Sequence, residues 1–254
     1  MRLDAYLYKI GKYVSRNKAS EAVKRGEVKV NGKTVTKISH EISDGAIVEI
    51  NDADNFVSLG GYKLEKAISD FSLDISGKVF ADIGASTGGF TDCLLRNGAD
   101  TVYAVDVGEN QLAESIKNDN RVVIMDNRNA RELSEKDFPT LLDGVVCDVS
   151  FISLTYILKP ICDILLGDGY AVTLIKPQFE CGKNALNGQG IVKDKRERLS
   201  AIKKIYDFGE KIGLIPVDVT TAPIKENKNV EYLMLFKKRG EKFKKEDIEK
   251  KVIL

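Results

Sequence analysis

Apolar positions along the first fifty residues change period partway. Leu3, Leu7, Ile10 and Val14 recur at helical spacing through RLDAYLYKIGKYV. Ser15 is then the expected N-cap of a second helix, SRNKASEAVKRG, with Ala19, Ala22 and Val23 on its inner face and Gly26 just past its end. Beyond Gly26 the period drops to two. Val28 and Val30 alternate with charges, Asn31-Gly32 is a type I′ hairpin signal, and AIVEI at 46–50 reads as a further strand. The pattern predicts a small α+β module, too small to be very stable alone but plausible when docked on something larger.

From Lys78 onward, apolar runs alternate with amphipathic stretches: VFADIG, a helix from Phe90, TVYAVDV, a helix from Glu109, VVIMD, DGVVCDVSF, YAVTLIKP, then strands near 215–221 and 230–236. Apolar strands separated by helices predict an α/β, Rossmann-like domain, a parallel sheet covered on both faces. The polar, acidic NDADN at 51–55 marks a linker. The expected division is therefore a module at 1–55, a main domain at 56–240 and a charged tail at 241–254, helical or frayed.

Composition narrows the class of function. Of 254 residues, 43% are hydrophobic and 30% charged, with a net charge of +1, so total charge points to no partner. Its distribution does. Residues 1–40 hold ten Lys and Arg against three Asp and Glu, and 41–57 hold five acidic residues and no basic one. A basic block at one end is the footprint of a polyanion binder. Four cysteines without paired short spacing suggest a reduced, cytoplasmic protein, and no apolar stretch suits a signal peptide or membrane span. His40 is the only histidine, so Ser-His-Asp triads and multi-His metal sites are excluded by count, and no metal is expected.

The segment FADIGASTGGFT sets Asp82, Gly84, Ser86, Thr87, Gly88, Gly89 and Phe90 at a strand-to-helix turn, where glycine permits positive φ and close backbone approach. Its form is GxxTGG, not the GxGxxG that cradles a pyrophosphate. A ligand without phosphate, S-adenosylmethionine, suits it better. Asp106 ends the next strand, 22 residues after Gly84, where a carboxylate can accept from ribose hydroxyls, and Asp126 ends the third, within reach of an adenine amino group. A methyltransferase is the reading.

The methyl acceptor is harder to name. The [N/D]PP[Y/F] segment usual in amino-methylating enzymes of this fold is replaced by Asp148-Val149-Ser150-Phe151. Pyrimidine-carbon chemistry needs a cysteine in a Pro-Cys-like setting, for which Cys181, in QFECGK, is a poor match though the only candidate near a strand end. What remains is a charged set at strand ends: Lys63, Asp148, Lys176 and Glu231.

Two resemblances add to this reading. RLDxxL…G…SRxxAxxxxxxGxVxVNG resembles the S-four RNA-binding module, which implies that Arg2, Ser15, Arg16, Lys18, Lys24, Arg25 and Lys33 face RNA phosphates. Basic residues at a helix start suit phosphate on physical grounds as well. DIGASTGGFTDCLL, DVGENQLA, CDVSFISL, IKPQFECGK and NVEYL are similar to the TlyA-type family, whose members also carry the name hemolysin and join that module to an FtsJ-like ribose 2′-O-methyltransferase domain. The resemblance covers nearly the whole chain. It implies a catalytic Lys63-Asp148-Lys176-Glu231 tetrad, with Asp148 also near the methyl donor, and ribosomal RNA or a ribosomal subunit as partner, with no membrane or obligate protein partner. Because the chain begins almost directly at RLD, a cytidine of the large-subunit RNA is the expected target. One departure is Leu59, where the family commonly has Arg in Ser-Arg-Gly-Gly.

The chemistry suits such a tetrad. A ribose hydroxyl must lose its proton as it attacks a sulfonium methyl, and a lysine with pKa ~10.4 is mostly protonated at neutral pH. Crowding by a second cation and partial desolvation favour the neutral amine, while the carboxylates oppose it. Lys176 is the expected base, oriented by Lys63 and Glu231, with Asp148 fixing both lysines. The competing functions are a membrane-active hemolysin, a non-catalytic RNA-binding assembly factor and a small-molecule methyltransferase.

Overall fold

A computed structural model describes the chain apart from residues 14, 15, 25, 44, 51–54 and 225 and the side chain of Lys18. The described residues fall into two compact units, Met1–Asn55 and Phe56–Leu254.

In the first unit, α1 (Leu3–Lys9) and α2 (Arg16–Lys24) cover three short strands, β1 (Val28–Val30), β2 (Lys33–Thr34) and β3 (Val48–Ile50), in the antiparallel order β2-β1-β3. Leu3, Leu7, Ala19, Val23, Val28 and Val30 form its core. Ile10, expected on the inner face, is 44% exposed. The reason is Gly11 at φ +72°, which turns the chain away just after α1 ends. Asn31 and Gly32 both have positive φ between the paired Val30 and Lys33, as a type I′ turn demands. The Asn31 carboxamide also accepts from the Ile47 N–H at 2.9 Å, tying the turn to the approach of β3. Ser15, Arg25 and the side chain of Lys18, all candidate RNA contacts, lie outside the described residues.

The second unit begins with α3 (Leu59–Phe71), capped by Ser58, and then alternates: β4 (Val79–Ile83), α4 (Gly89–Arg96), β5 (Thr101–Val105), α5 (Glu114–Lys117), β6 (Val122–Met125), β7 (Leu142–Cys147), α6 (Leu158–Ile164) and β8 (Leu165–Ile175). It closes with α7 (Pro177–Glu180), α8 (Lys195–Lys211), β9 (Ile215–Thr221), β10 (Tyr232–Lys237) and α9 (Ile248–Lys251). The seven strands run in the order β6-β5-β4-β7-β8-β10-β9. Successive strand residues point to opposite faces, so Ala81 and Ile83 join one core with Ile161 of α6 and Ile205 of α8, while Phe80 joins another with Leu64 of α3 and Leu94 of α4.

Three features differ from the pattern reading. The sheet is not parallel throughout: β10 runs antiparallel to both β8 and β9, wedged between them. The helix expected from Glu109 is one turn, starting at Glu114, because Asn110 sits at φ +55° with its N–H held by Asp126 at 2.9 Å. The last segment is not frayed, since Ile248 and Val252 are buried in the core.

Candidate active site

The direction of β10 assembles the site. Tyr232 pairs with Ile175, so the residue before β10, Glu231, lies beside the residue after β8, Lys176. Asp148 follows β7, the parallel neighbour of β8, at the same edge of the sheet. Lys63 reaches this edge from the second turn of α3. A parallel β10 would have sent Glu231 to the opposite edge. The four side chains form a chain of contacts: Lys176 Nζ lies 2.6 Å from Asp148 Oδ1, Lys63 Nζ 3.7 Å from Asp148 Oδ2, and Lys63 Nζ 2.7 Å from Glu231 Oε2. Lys176 also donates to Ser150 Oγ at 2.7 Å.

All four are at least four-fifths buried, so their charges interact with little screening by water. Burial works against a charged Lys63, but attraction from Asp148 and Glu231 outweighs it and holds the Lys63 pKa above its ordinary value. Lys63 is therefore a fixed cation. The expected crowding of one lysine by the other is offset by Asp148, which stands between them and gives one oxygen to each.

Beside the tetrad lies a cavity of about 820 Å³, lined by Gly84, Ser86, Asp106 and Asp148 among the expected donor-site residues. A smaller pocket of about 150 Å³, sharing Gly84, Ser86, Asp148 and Ser150 with it, adds Gly89, Phe90 and Lys176. The larger volume is in the range that holds a drug-sized ligand. Asp106 accepts from the N–H groups of Ser86 and Gly108, both at 2.8 Å, one per oxygen, which leaves a lone pair on each for ribose hydroxyls. These features fit S-adenosylmethionine.

Other donor-site candidates stand elsewhere. Asp82 is fully buried under the turn rather than in the cavity. It accepts from Thr91 Oγ1 at 2.7 Å and so ties β4 to the first turn of α4. Burial, with repulsion from Asp148 and Asp106, pushes its pKa up to about 7 against the opposing Thr91 hydrogen bond. Thr87, Gly88 and Asp126 line neither pocket. Asp126 instead closes the 108–110 loop through Asn110. The glycines serve chain-to-chain approach as well: a Cβ on Gly84, at φ +83°, would stand 2.8 Å from the Asp148 carbonyl, and one on Gly89 2.1 Å from Ser58 Oγ.

Sequence reasoning did not single out Phe151 and Tyr156, which also line the large cavity. Phe151 is 90% exposed at φ +64°, its ring 5.1 Å from that of Phe179. Nothing in a sequence pattern marks a non-glycine residue for left-handed backbone. In the first unit, Arg2 and Arg16 both bind the buried carboxylate of Asp4, at 3.0 and 2.9 Å, while their side chains stay half-exposed. Burial opposes an ionised Asp4, yet the two guanidiniums hold its pKa below the usual carboxylate value. Lys24 and Lys33 are exposed. Among the described residues, no helix is long and apolar enough to cross a membrane, and no group of acidic, His or Cys side chains is placed to hold a metal.

Residues 56–239 match the FtsJ-like methyltransferase family and residues 1–48 the S4 domain. The chain is 45% identical to Hemolysin A of Brachyspira hyodysenteriae, over 93% of this chain and 99% of that protein. It is 37% identical to the 16S/23S rRNA (cytidine-2′-O)-methyltransferase TlyA of Mycobacterium tuberculosis, over 92% of this chain and 88% of that one. A solved structure from Streptococcus thermophilus that carries the description hemolysin shares 38% identity and a TM-score of 0.73, covering 95% of this chain and 90% of its own.

Proposed function

We propose that this chain, which belongs to the TlyA/hemolysin A family of FtsJ-like methyltransferases with an N-terminal S4 domain, methylates the 2′-hydroxyl of a cytidine in ribosomal RNA. The observation that carries the reading is the Lys176-Asp148-Lys63-Glu231 chain of contacts beside the Gly84 cavity.

S-adenosylmethionine, when bound, supplies an electrophilic methyl on a sulfonium centre. Gly84, Ser86 and Asp106 would hold it, and the Asp148 carboxylate at the boundary of the two pockets suits a neighbouring positive charge. Lys176, once its ammonium has given a proton to solvent, is placed to take the proton of the 2′-hydroxyl as the methyl leaves the sulfonium, since its Nζ stands at the wall of the smaller pocket. The ammonium so formed is then received by Asp148 and Ser150. Lys63 stays cationic under Asp148 and Glu231, and balances Asp148 as Lys176 changes partners. Alignment of hydroxyl and methyl supplies much of the acceleration. The exposed ring of Phe151 offers a stacking surface for an unpaired base beside this site.

The basic first unit would dock the substrate through phosphates, which position RNA without reading its sequence. A ribosomal RNA substrate fits an action in the cytoplasm. The reading is tested by incubating purified small and large ribosomal subunits with labelled methyl donor and mapping the product by mass spectrometry. The expected product is 2′-O-methylcytidine in the RNA of at least the large subunit. A methyl on a base, or no transfer to either subunit, contradicts the reading.

A further inference from the structure

We infer that Glu180 is a positioning residue for methyl transfer, a buried carboxylate that clamps the loop carrying Asp148 and Ser150 to the loop carrying Lys176. The inference rests on the reaction proposed above. Lys176 leads directly into α7, and Glu180 ends that helix. The Glu180 side chain is 2% exposed. Its Oε2 accepts from Ser153 Oγ at 2.6 Å and from Lys204 Nζ of α8 at 2.9 Å, while Oε1 accepts from the Leu154 N–H at 2.7 Å. Lys204 also donates to the Glu180 carbonyl at 3.0 Å.

Ser153 and Leu154 belong to the other loop, just beyond Asp148 and Ser150. Ser153 Oγ also accepts from the Thr155 N–H at 3.3 Å, capping the short 3₁₀ turn Leu154–Tyr156. One carboxylate therefore collects three donors from the Asp148 loop and α8, and its own backbone fixes the Lys176 loop. A pair of apolar residues would bury as well, but would not set the register of two loops to within a hydrogen bond.

The direct links between the loops are of another kind. Lys176 must exchange its contacts with Asp148 and Ser150 for the 2′-hydroxyl and its proton during turnover. The Phe151–Phe179 ring contact lies at the exposed mouth. Glu180 touches no reacting atom, so its clamp holds the loops in place while those contacts change. Misplacement of a reacting group by about 1 Å can cost about a hundredfold in rate.

The test is single-turnover methyl transfer to rRNA at saturating donor and RNA, with both dissociation constants measured separately. Glu180→Gln and Ser153→Ala are expected to slow transfer about tenfold, with both constants within twofold of the wild type. Ser153→Thr, which keeps the hydroxyl at an extended backbone position, is expected to restore the rate to within twofold. Should Glu180→Gln not fold, the Ser153 pair decides. Wild-type rate in Ser153→Ala, a loss confined to donor or RNA binding, or failure of Ser153→Thr to recover the rate overturns the clamp. A fully active Lys176→Ala enzyme, measured in parallel, instead overturns the reaction on which the clamp depends.

Discussion

At Asp82 the chain buries a carboxylate with one hydrogen-bond partner, Thr91, and leaves Oδ1 without one among the described residues. Its folded pKa of about 7 lies above the ordinary value of about 3.9. Between those values the folded protein holds a proton that the unfolded chain has lost, so stability falls as pH rises through this window. Asp82→Asn removes that dependence. In denaturant titrations at pH 5 and pH 8, the stability of the variant relative to wild type is expected to improve at the higher pH, and a difference that does not change with pH contradicts the assignment. Individual residues were unevenly legible in the sequence. Asp106, Asp148, Lys176 and Glu231 could be picked out as charged residues at strand ends. Lys63, expected there too, lies inside α3, and its grouping with the other three tetrad members came from the resemblance to the TlyA-type family. The burial of Asp82, the left-handed backbone of Phe151 and the carboxylate clamp of Glu180 could not be picked out, because apolar periodicity does not say which polar groups meet or where a non-glycine residue takes positive φ.

Among the elements, the glycine turn after β4 couples donor site to tetrad. Gly84 lies where the Asp148 backbone passes close by, at a φ that disfavours any side chain. Gly84→Ala is expected to cost about 1–3 kcal/mol of stability. It should also weaken donor binding in calorimetry, since the 148–149 segment must move; unchanged stability and affinity would show that the crossing has slack. The alternation of helices and strands was readable from apolar runs, and so was the turn itself. The antiparallel course of β10 was not, because a buried strand such as YLMLFK presents the same apolar run in either direction. That hidden fact is what allows Glu231, which precedes its strand, to meet residues that follow theirs.

For the whole molecule, a near-neutral chain carries its basic excess in the unit that matches the S4 domain. Exposed lysines there, Lys24 and Lys33, should each add to the salt dependence of rRNA binding. Lys33→Ala is expected to reduce the slope of log affinity against log salt by roughly one and to leave the identity of the methylated nucleotide unchanged. An unaltered slope would remove Lys33 from the RNA contact. The joining of an S4 domain to an FtsJ-like methyltransferase domain narrows the acceptor to RNA, and the similarity to an rRNA (cytidine-2′-O)-methyltransferase supports a ribose hydroxyl. The most direct measurement is single-turnover methyl transfer to rRNA by Lys176→Ala, with donor binding followed by calorimetry. A loss of at least a hundredfold in 2′-O-methylcytidine with donor affinity retained is the expected result, and transfer at the wild-type rate would contradict it.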